Sequence, residues 1–320
     1  MPRVLVTGIT GFAGSHLAEH LLSRGDEVHG LANEEEPFPN LAAVRPRLHI
    51  HRGDVTRLEE VRAAFAAAAP DGVVHLAGQA VPTLASADPI AAVRLNVMGT
   101  ATVLTALAAH PRARLVVASS ADVYGAPDHE PVDEDAPLRP ENVYAATKVA
   151  AEALARELAG RHSAAVIVLR PANQNGPRQH PGLAASAFAK QIAAAEAGSA
   201  EPVVRHGRLD ARRDFLDVRD MARAYAAALA LDESATFNVG SGRAVSIAEI
   251  LDILIALARI PVQAELDPAR VRSGGAARPL ALDASRFRKR TGWSPRITLA
   301  ESLRDTLDFW RSRIQQGAAA

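Results

Sequence analysis

The tightest constraint on this chain lies at its start, where a short apolar strand runs into three evenly spaced glycines and then a helix. Arg3–Thr7 (RVLVT) is apolar and largely β-branched after its first residue. Gly8, Gly11 and Gly14 follow at intervals of three, and an amphipathic helical run covers about 15–23. Strand, glycine loop and helix start in that order form an anion site. The glycines permit a sharp bend and a close approach, and the unpaired N–H groups of the helix start face the charge of a pyrophosphate. Because the motif follows a strand and opens a helix, a dinucleotide site is the expectation rather than a bare β–α turn.

Alternating elements follow. Strands are expected at 27–32, 48–50, 72–76, 114–119 and 165–170, and helices at 57–69, 88–110 and 142–161. This alternation predicts an α/β fold, a Rossmann-type doubly wound parallel sheet with right-handed crossovers. Beyond Pro171 the pattern loosens. Helices are expected at 185–197, 246–258 and 299–314, with strand-like pieces at 202–207 and 237–239. Residues 1–170 read as the dinucleotide-binding domain, to which the chain returns at about 215–242. Residues 171–214 and 243–320 read as a smaller C-terminal substrate-binding lobe.

Composition narrows the function classes. Lys plus Arg (36) balances Asp plus Glu (36), so no overall field favours nucleic acid or an anionic membrane as partner. Cysteine is absent, which removes disulfides, thiolate nucleophiles and cysteine-ligated metals. No apolar run is expected to reach membrane-spanning length. The N-terminal apolar segment is too short and too glycine-broken for a signal peptide, so a cytoplasmic enzyme is expected.

Tyr144 and Lys148 (YAATK) stand four apart in a predicted helix and share a face. An ammonium beside a phenol should lower a pKa normally near ~10, equipping the tyrosine to exchange a proton at a carbonyl or carbinol. Ser120 ends the fifth strand, where ligands sit in open parallel sheets, and its hydroxyl can donate to a substrate oxygen. At the end of the second strand stands Asn33, followed by three glutamates that should repel a 2′-phosphate. The cofactor expected is therefore NAD or NADP, with NAD favoured. No metal is expected. HLAEH (16–20) has a zinc-ligand spacing but sits where the first helix must pack on the sheet, and RFRKR (286–290) reads as a solvated basic face.

GITGFAG at the start, GDV (53–55), HLAG (75–78), NVMGT (96–100), SSADVYG (119–125), YAATK (144–148) and RPANQNGP (170–177) together resemble an extended short-chain dehydrogenase/reductase of the nucleotide-sugar epimerase/dehydratase type. The resemblance spans nearly the whole chain. It implies Ser120, Tyr144 and Lys148 as the catalytic triad and Phe12 and Ala13 as backbone donors to the pyrophosphate. It also implies Asp54 and Val55 at the adenine, and Leu76, Ala77 and Gly78 beside the nicotinamide ribose. The second half, including FAKQI with Lys190 and ARRDF with Arg213, is similar to GDP-4-keto-6-deoxy-mannose reductases. That implies reduction of the C4 ketone of a GDP-6-deoxy-4-keto sugar to GDP-rhamnose. Asn173 and Arg213 would contact the diphosphate, and Lys190 and Arg272 the substrate. The alternative is a 4-epimerase or 4,6-dehydratase that recycles tightly bound NAD, for which Asp122 stands where dehydratases place a carboxylic acid. The resemblance further implies a homodimer formed by a four-helix bundle from the helices at 88–110 and 142–161.

Overall fold

The computed structural model describes residues 1–160, 164–271 and 278–318. Its main sheet begins with β1 (Arg3–Thr7), β2 (Glu27–Ala32), β3 (His49–Arg52), β4 (Gly72–His75), β5 (Arg114–Ala118) and β6 (Val166–Pro171). Three short strands then leave this sheet, β7 (Asn173–Asn175), β8 (Val203–His206) and β9 (Arg212–Asp217), before β10 (Ala235–Val239) rejoins it beside β6. The strand order is β3-β2-β1-β4-β5-β6-β10, all parallel. Strand order reverses direction between β1 and β4, the switch point at which such sheets open a ligand crevice. The Rossmann-type doubly wound sheet is thus the observed fold.

Alternation along the strands explains the layers. Val4, Val6, Val74, Val116, Ile167 and Leu169 face one side, against α1 (Phe12–Ser23) and α8 (Val218–Ala228). Leu5, Val73, Leu115, Val117, Val166 and Val168 face the other, against α2 (Leu58–Ala68), α5 (Gly99–Leu107) and α6 (Val143–Ala159). Side chains such as Leu17, Leu21 and Phe65 are fully buried, each stabilising the fold by roughly 1.5–3 kcal/mol. A third core, holding Phe188, Ile192, Val204, Ile250, Leu254, Leu303 and Leu307, forms the lobe. It is built on α7 (Ala184–Glu196), α9 (Ile247–Ala256) and α11 (Leu299–Ala318). Two small sheets complete the lobe: β7 and β9 with β11 (Ala244–Ser246), and β8 with β12 (Gln263–Leu266).

Several boundaries differ from the sequence reading. The first helix begins at Phe12 because extended Gly11 is already its N-cap. The run at 212–217 is a strand of a small sheet rather than of the main one, and α8 follows it as a helix that the sequence reading lacked. The Asp217 carboxylate starts α8 by accepting the Arg219 N–H at 2.8 Å. The long helix expected at 88–110 comprises α4 (Pro89–Val93), a π-helical segment Arg94–Met98, and α5, and it is preceded by a separate short helix, α3 (Pro82–Ala87). Pro89–Leu107 is in fact long and apolar enough, by length and composition alone, to cross a membrane, contrary to expectation. Its mean hydropathy of 1.5 comes from an Ala- and Val-rich run, of which 44% is buried inside the protein.

Candidate active site

The glycine turn is built too tightly for any side chain. A Cβ on Gly14 would lie 2.1 Å from the Gly8 carbonyl oxygen. Gly8 itself has φ +70°, and a Cβ there would meet the Ala77 nitrogen at 2.8 Å. Gly11 makes no side-chain cap bond and no acidic residue occupies the first turn of α1. The first N–H groups of the helix, those of Phe12 and Ala13 included, therefore remain for an anion. This cradle fits a dinucleotide pyrophosphate.

Strands β1 and β4 are locked beside it. Thr7 Oγ1 lies 2.7 Å from His75 Nδ1 and accepts the Ala77 N–H at 3.2 Å, while His75 Nε2 lies 3.1 Å from Thr100 Oγ1. Burial, with Lys148 adding to it, pushes the His75 imidazole down to about 3, so this histidine is a neutral strut. The π-helical segment aims Asn96 at the same loop. Its Oδ1 accepts the Gln79 N–H at 2.8 Å and its Nδ2 donates to Thr147 Oγ1 at 2.8 Å, joining the loop after β4 to α6. Gly78 makes room, since a Cβ there would sit 2.5 Å from Asn96 Oδ1. Widened helical turns of this kind recur at functional sites.

Two clefts open along the strand ends. One, of about 270 Å3, is lined by Gly8, Gly11, Asn33, Glu34, Val55, Leu76, Ala77 and Gly78. The other, of about 360 Å3, joins Gly8, Gly11, Phe12, Ala13, Gly14, Leu76 and Gly78 to Ser120, Asp122, Tyr144, Lys148 and Asn173. Asp54 lines neither. Its carboxylate accepts the Thr56 N–H and hydroxyl, each at 2.8 Å, and against the cost of burial these bonds hold it below its ordinary range.

Tyr144 and Lys148 do share a face of α6, which Asn142 starts by accepting the Ala145 N–H at 2.8 Å. The expected lowering of the phenol is not found. Burial raises the Tyr144 pKa, the Asp122 charge adds to the rise, and a hydrogen bond with Ser120 opposes it. The physical reason is that Lys148 directs its ammonium elsewhere. Nζ donates to the Ala118 carbonyl at 2.7 Å and lies 5.8 Å from the centre of the phenol ring. Tyr144 therefore holds its proton. Burial brings Lys148 down to about 8, with the Glu152 carboxylate opposing it. Burial raises the Asp122 carboxyl, Arg213 works against that, and Glu141 adds to it.

Behind the triad lies a buried network that the motif reading missed. Arg170 donates to Glu152 Oε1 at 2.9 Å and Oε2 at 2.6 Å, Ser119 donates to Oε1 at 2.5 Å, and Arg170 also donates to the Tyr124 hydroxyl at 2.8 Å. Ser119 is the one tied back to this network, while both Ser119 and Ser120 line the cleft. Gln174, Gln179 and Tyr225 also line it, and the side-chain oxygens of both glutamines are buried without a protein partner.

A further cavity of about 630 Å3 shares Pro82, Leu183, Ala184 and Ile247 with the main cleft and adds Arg205, His206, Arg208 and Arg270. These arginines were not anticipated. Lys190 lies outside both, exposed, 5.2 Å over the Trp310 ring in a groove that shares Ala187, Arg205 and Arg270 with that cavity. Arg213 donates to the carbonyls of Arg212 and Arg278 at 2.8 and 3.0 Å rather than lining the cleft. Arg272 lies outside the described residues. Within HLAEH, His16 Nε2 is 3.0 Å from the Pro177 carbonyl, tying α1 to the loop after β7. The arginines of RFRKR pair with Glu134 and Asp135, with the Gly240 and Ser241 carbonyls, and with Asp232 and Glu233.

Residues 5–306 match the model of a family described as GDP-mannose 4,6 dehydratase. The chain belongs to that family. It is 34% identical over 318 residues to the GDP-6-deoxy-D-mannose reductase of Pseudomonas aeruginosa, covering 98% of this chain and 99% of that protein. The solved structure of RMD from Pseudomonas aeruginosa complexed with NADPH superposes with a TM-score of 0.84 at 31% identity, covering 98% of this chain and 100% of that one. The Thermus thermophilus UDP-glucose 4-epimerase complex with NAD gives 0.85 at 32% identity, covering 97% and 99%. The protein is an enzyme of the extended short-chain dehydrogenase/reductase type that uses a nicotinamide cofactor.

Proposed function

We propose that the protein reduces the C4 ketone of an NDP-4-keto-6-deoxyhexose, with GDP-4-keto-6-deoxy-mannose going to GDP-rhamnose as the favoured case. The observation that carries this reading is a buried, protonated Tyr144 phenol in the same cleft as the glycine turn. The cleft beside the glycine turn would hold a reduced nicotinamide, and the chemistry it would supply is a hydride for C4. The phenol then gives its proton to the oxygen at C4, completing the alcohol, and the Ser120 hydroxyl holds that oxygen while charge gathers on it. Lys148, held by the Ala118 carbonyl, would bind the nicotinamide ribose, and solvent returns a proton to the phenolate left behind. The cavity with Arg205, Arg208 and Arg270 suits the diphosphate end, since planar guanidinium groups match phosphate oxygens. The GDP-6-deoxy-D-mannose reductase relative supports the choice of sugar and base.

NAD(H) is the favoured cofactor. Among the described residues lining the adenosine-side cleft there is no Arg or Lys, whereas Asn33 and Glu34 are there. Glu35 and Glu36 are engaged by Arg52 and Arg45, so Glu34 supplies the repulsion toward a 2′-phosphate.

One observation favours a second reading, a 4,6-dehydratase or 4-epimerase recycling NAD. The half-buried Asp122 carboxyl lines the cleft with its pKa raised, as an acid that protonates a departing hydroxyl requires. Stoichiometric oxidation of added NADH by the GDP-keto sugar supports the reductase; turnover without net consumption rejects it. Tyr144→Phe should lower kcat about 10²–10⁴-fold while leaving cofactor affinity within a few fold.

The assembly that fits this surface is a homodimer. Leu84, Ile90, Val93 and Met98 are exposed, Ile90 by 82%, along the helices that pack against α6. A second copy pairing these helices with α6 into a four-helix bundle covers that apolar face. Ile90→Asp should halve the solution mass; a monomeric wild type excludes the bundle.

A further inference from the structure

Four titratable side chains meet at the far edge of the sheet, on its last two strands. Strands β2 and β3 are parallel, with His29 opposite His49 in register and Leu31 opposite His51. Alternation along each strand puts Glu27, His29, His49 and His51 on one face. The ligating atoms of Glu27, His29 and His49 all lie within 4.8 Å of one another. His29 Nε2 is 2.9 Å from Glu27 Oε1, and His29 Nδ1 is 2.9 Å from His51 Nε2.

We propose that Glu27, His29 and His49 form a binding site for a divalent transition metal ion of the zinc class, with His51 as its positioning residue. A carboxylate and two imidazoles form a donor set that zinc accepts in tetrahedral sites. Bonds of about 2.0–2.1 Å at tetrahedral angles put donors about 3.4 Å apart, so the cluster needs only side-chain adjustment to close on an ion. In the bound form neutral His29 carries its one proton on Nδ1 and presents an unprotonated Nε2 to the ion.

The arrangement of His51 points the same way. Its ring and that of His29 are 4° from coplanar with centroids 5.2 Å apart, which for a 2.9 Å N···N contact describes an in-plane hydrogen bond rather than a stack. With Nδ1–H donated to His51, Nε2 of His29 is the nitrogen directed at the ion. Metal-ligating histidines are held in this way by an outer acceptor. His29 is buried, whereas His49 and the Glu27 side chain are open to solvent, so the ion has an entry path and room for water as a fourth ligand. Besides these imidazoles, the opposing charge felt by Glu27 is that of Arg3 on β1. β3 is the last strand of the sheet, and an ion bridging it to β2 fastens that edge two residues short of Leu31, which with Asn33 bounds the adenosine-side cleft.

The test is isothermal titration of the tag-free, metal-stripped full chain with ZnCl2, repeated with CoCl2 while recording the visible d–d bands. One equivalent per chain and tetrahedral cobalt bands are expected. His49→Ala, at an exposed edge position, should abolish both, and His51→Gln should weaken binding about 10–100-fold at unchanged stoichiometry. His129→Ala, at an exposed loop position, should change neither. The proposal is overturned by a wild type without saturable binding, by His49→Ala binding as wild type does, or by octahedral cobalt spectra that His51→Gln leaves unshifted.

Discussion

Glu152→Gln probes what holds the catalytic face in place. Glu152 stands one helical turn beyond Lys148, and its side chain and that of Arg170 are 1% and 3% exposed. The substitution keeps the shape but leaves a dry guanidinium facing a neutral amide. Arg170 remains charged, because the Tyr124 hydroxyl at 2.8 Å and the Glu134 carbonyl at 3.1 Å still accept from it. Removing one member of such a pair costs about 3–5 kcal/mol. With two acceptors retained and the amide oxygen able to take a third bond, the expected loss is about 3 kcal/mol, roughly two decades in the folding equilibrium. Urea unfolding followed by circular dichroism at unchanged m measures it. The double variant Glu152→Gln/Arg170→Met, which removes the stranded charge, should recover at least about 1 kcal/mol relative to the sum of the single losses. A single loss below about 1 kcal/mol, or strict additivity, would refute the claim that this pair is a coupled support. Loss of the Glu152 charge should also lower Lys148 further, moving the alkaline limb of kcat/KM toward neutral pH.

Three other outcomes follow from the same geometry. Because Lys148 titrates near about 8 in the folded chain against 10.5 in its ordinary state, its protonated form is a folding cost below about pH 8 that is relieved as pH rises toward 10.5. The stability difference between wild type and Lys148→Met should climb through that window, and kcat/KM should fall above about pH 8; a flat difference contradicts the assignment. Gly14→Ala forces a Cβ onto the Gly8 carbonyl and, at 2.7 Å, onto Ile9 Cα, backbone atoms that cannot swing aside. It should cost about 1–3 kcal/mol of stability and most NADH binding, read by melting and by fluorescence titration. Gln179→Leu removes a buried oxygen with no protein partner and should raise KM for the sugar about tenfold with kcat nearly unchanged, as steady-state kinetics can check.

The triad and the glycine turn were legible because their spacing is local: i, i+4 on a helix and i, i+3 across a turn bring side chains or backbone together whatever the rest of the chain does. Asn173 joined them because it follows β6 directly. Arg205, Arg208 and Arg270 were not legible as a group, since they come from separate strands and turns that only the lobe's packing brings to one cavity. The protonation of Tyr144 was misjudged for a related reason. Helical spacing predicts that Lys148 is near, but the acceptor its ammonium chooses, the Ala118 carbonyl on a strand 30 residues away in sequence, belongs to the tertiary fold.

By itself, then, the order of residues determined the strand–glycine–helix opening, the alternation that makes a parallel sheet, and the polar groups set one helical turn apart. These are short-range consequences of backbone sterics and side-chain period. The tertiary structure alone decided which groups are dry, which charges face them, and which distant segments share a wall. Burial and pairing across sequence separations of this size are properties of the packed chain, and they set the proton on Tyr144, the pairing of Arg170 with Glu152, and the histidine cluster on β2 and β3.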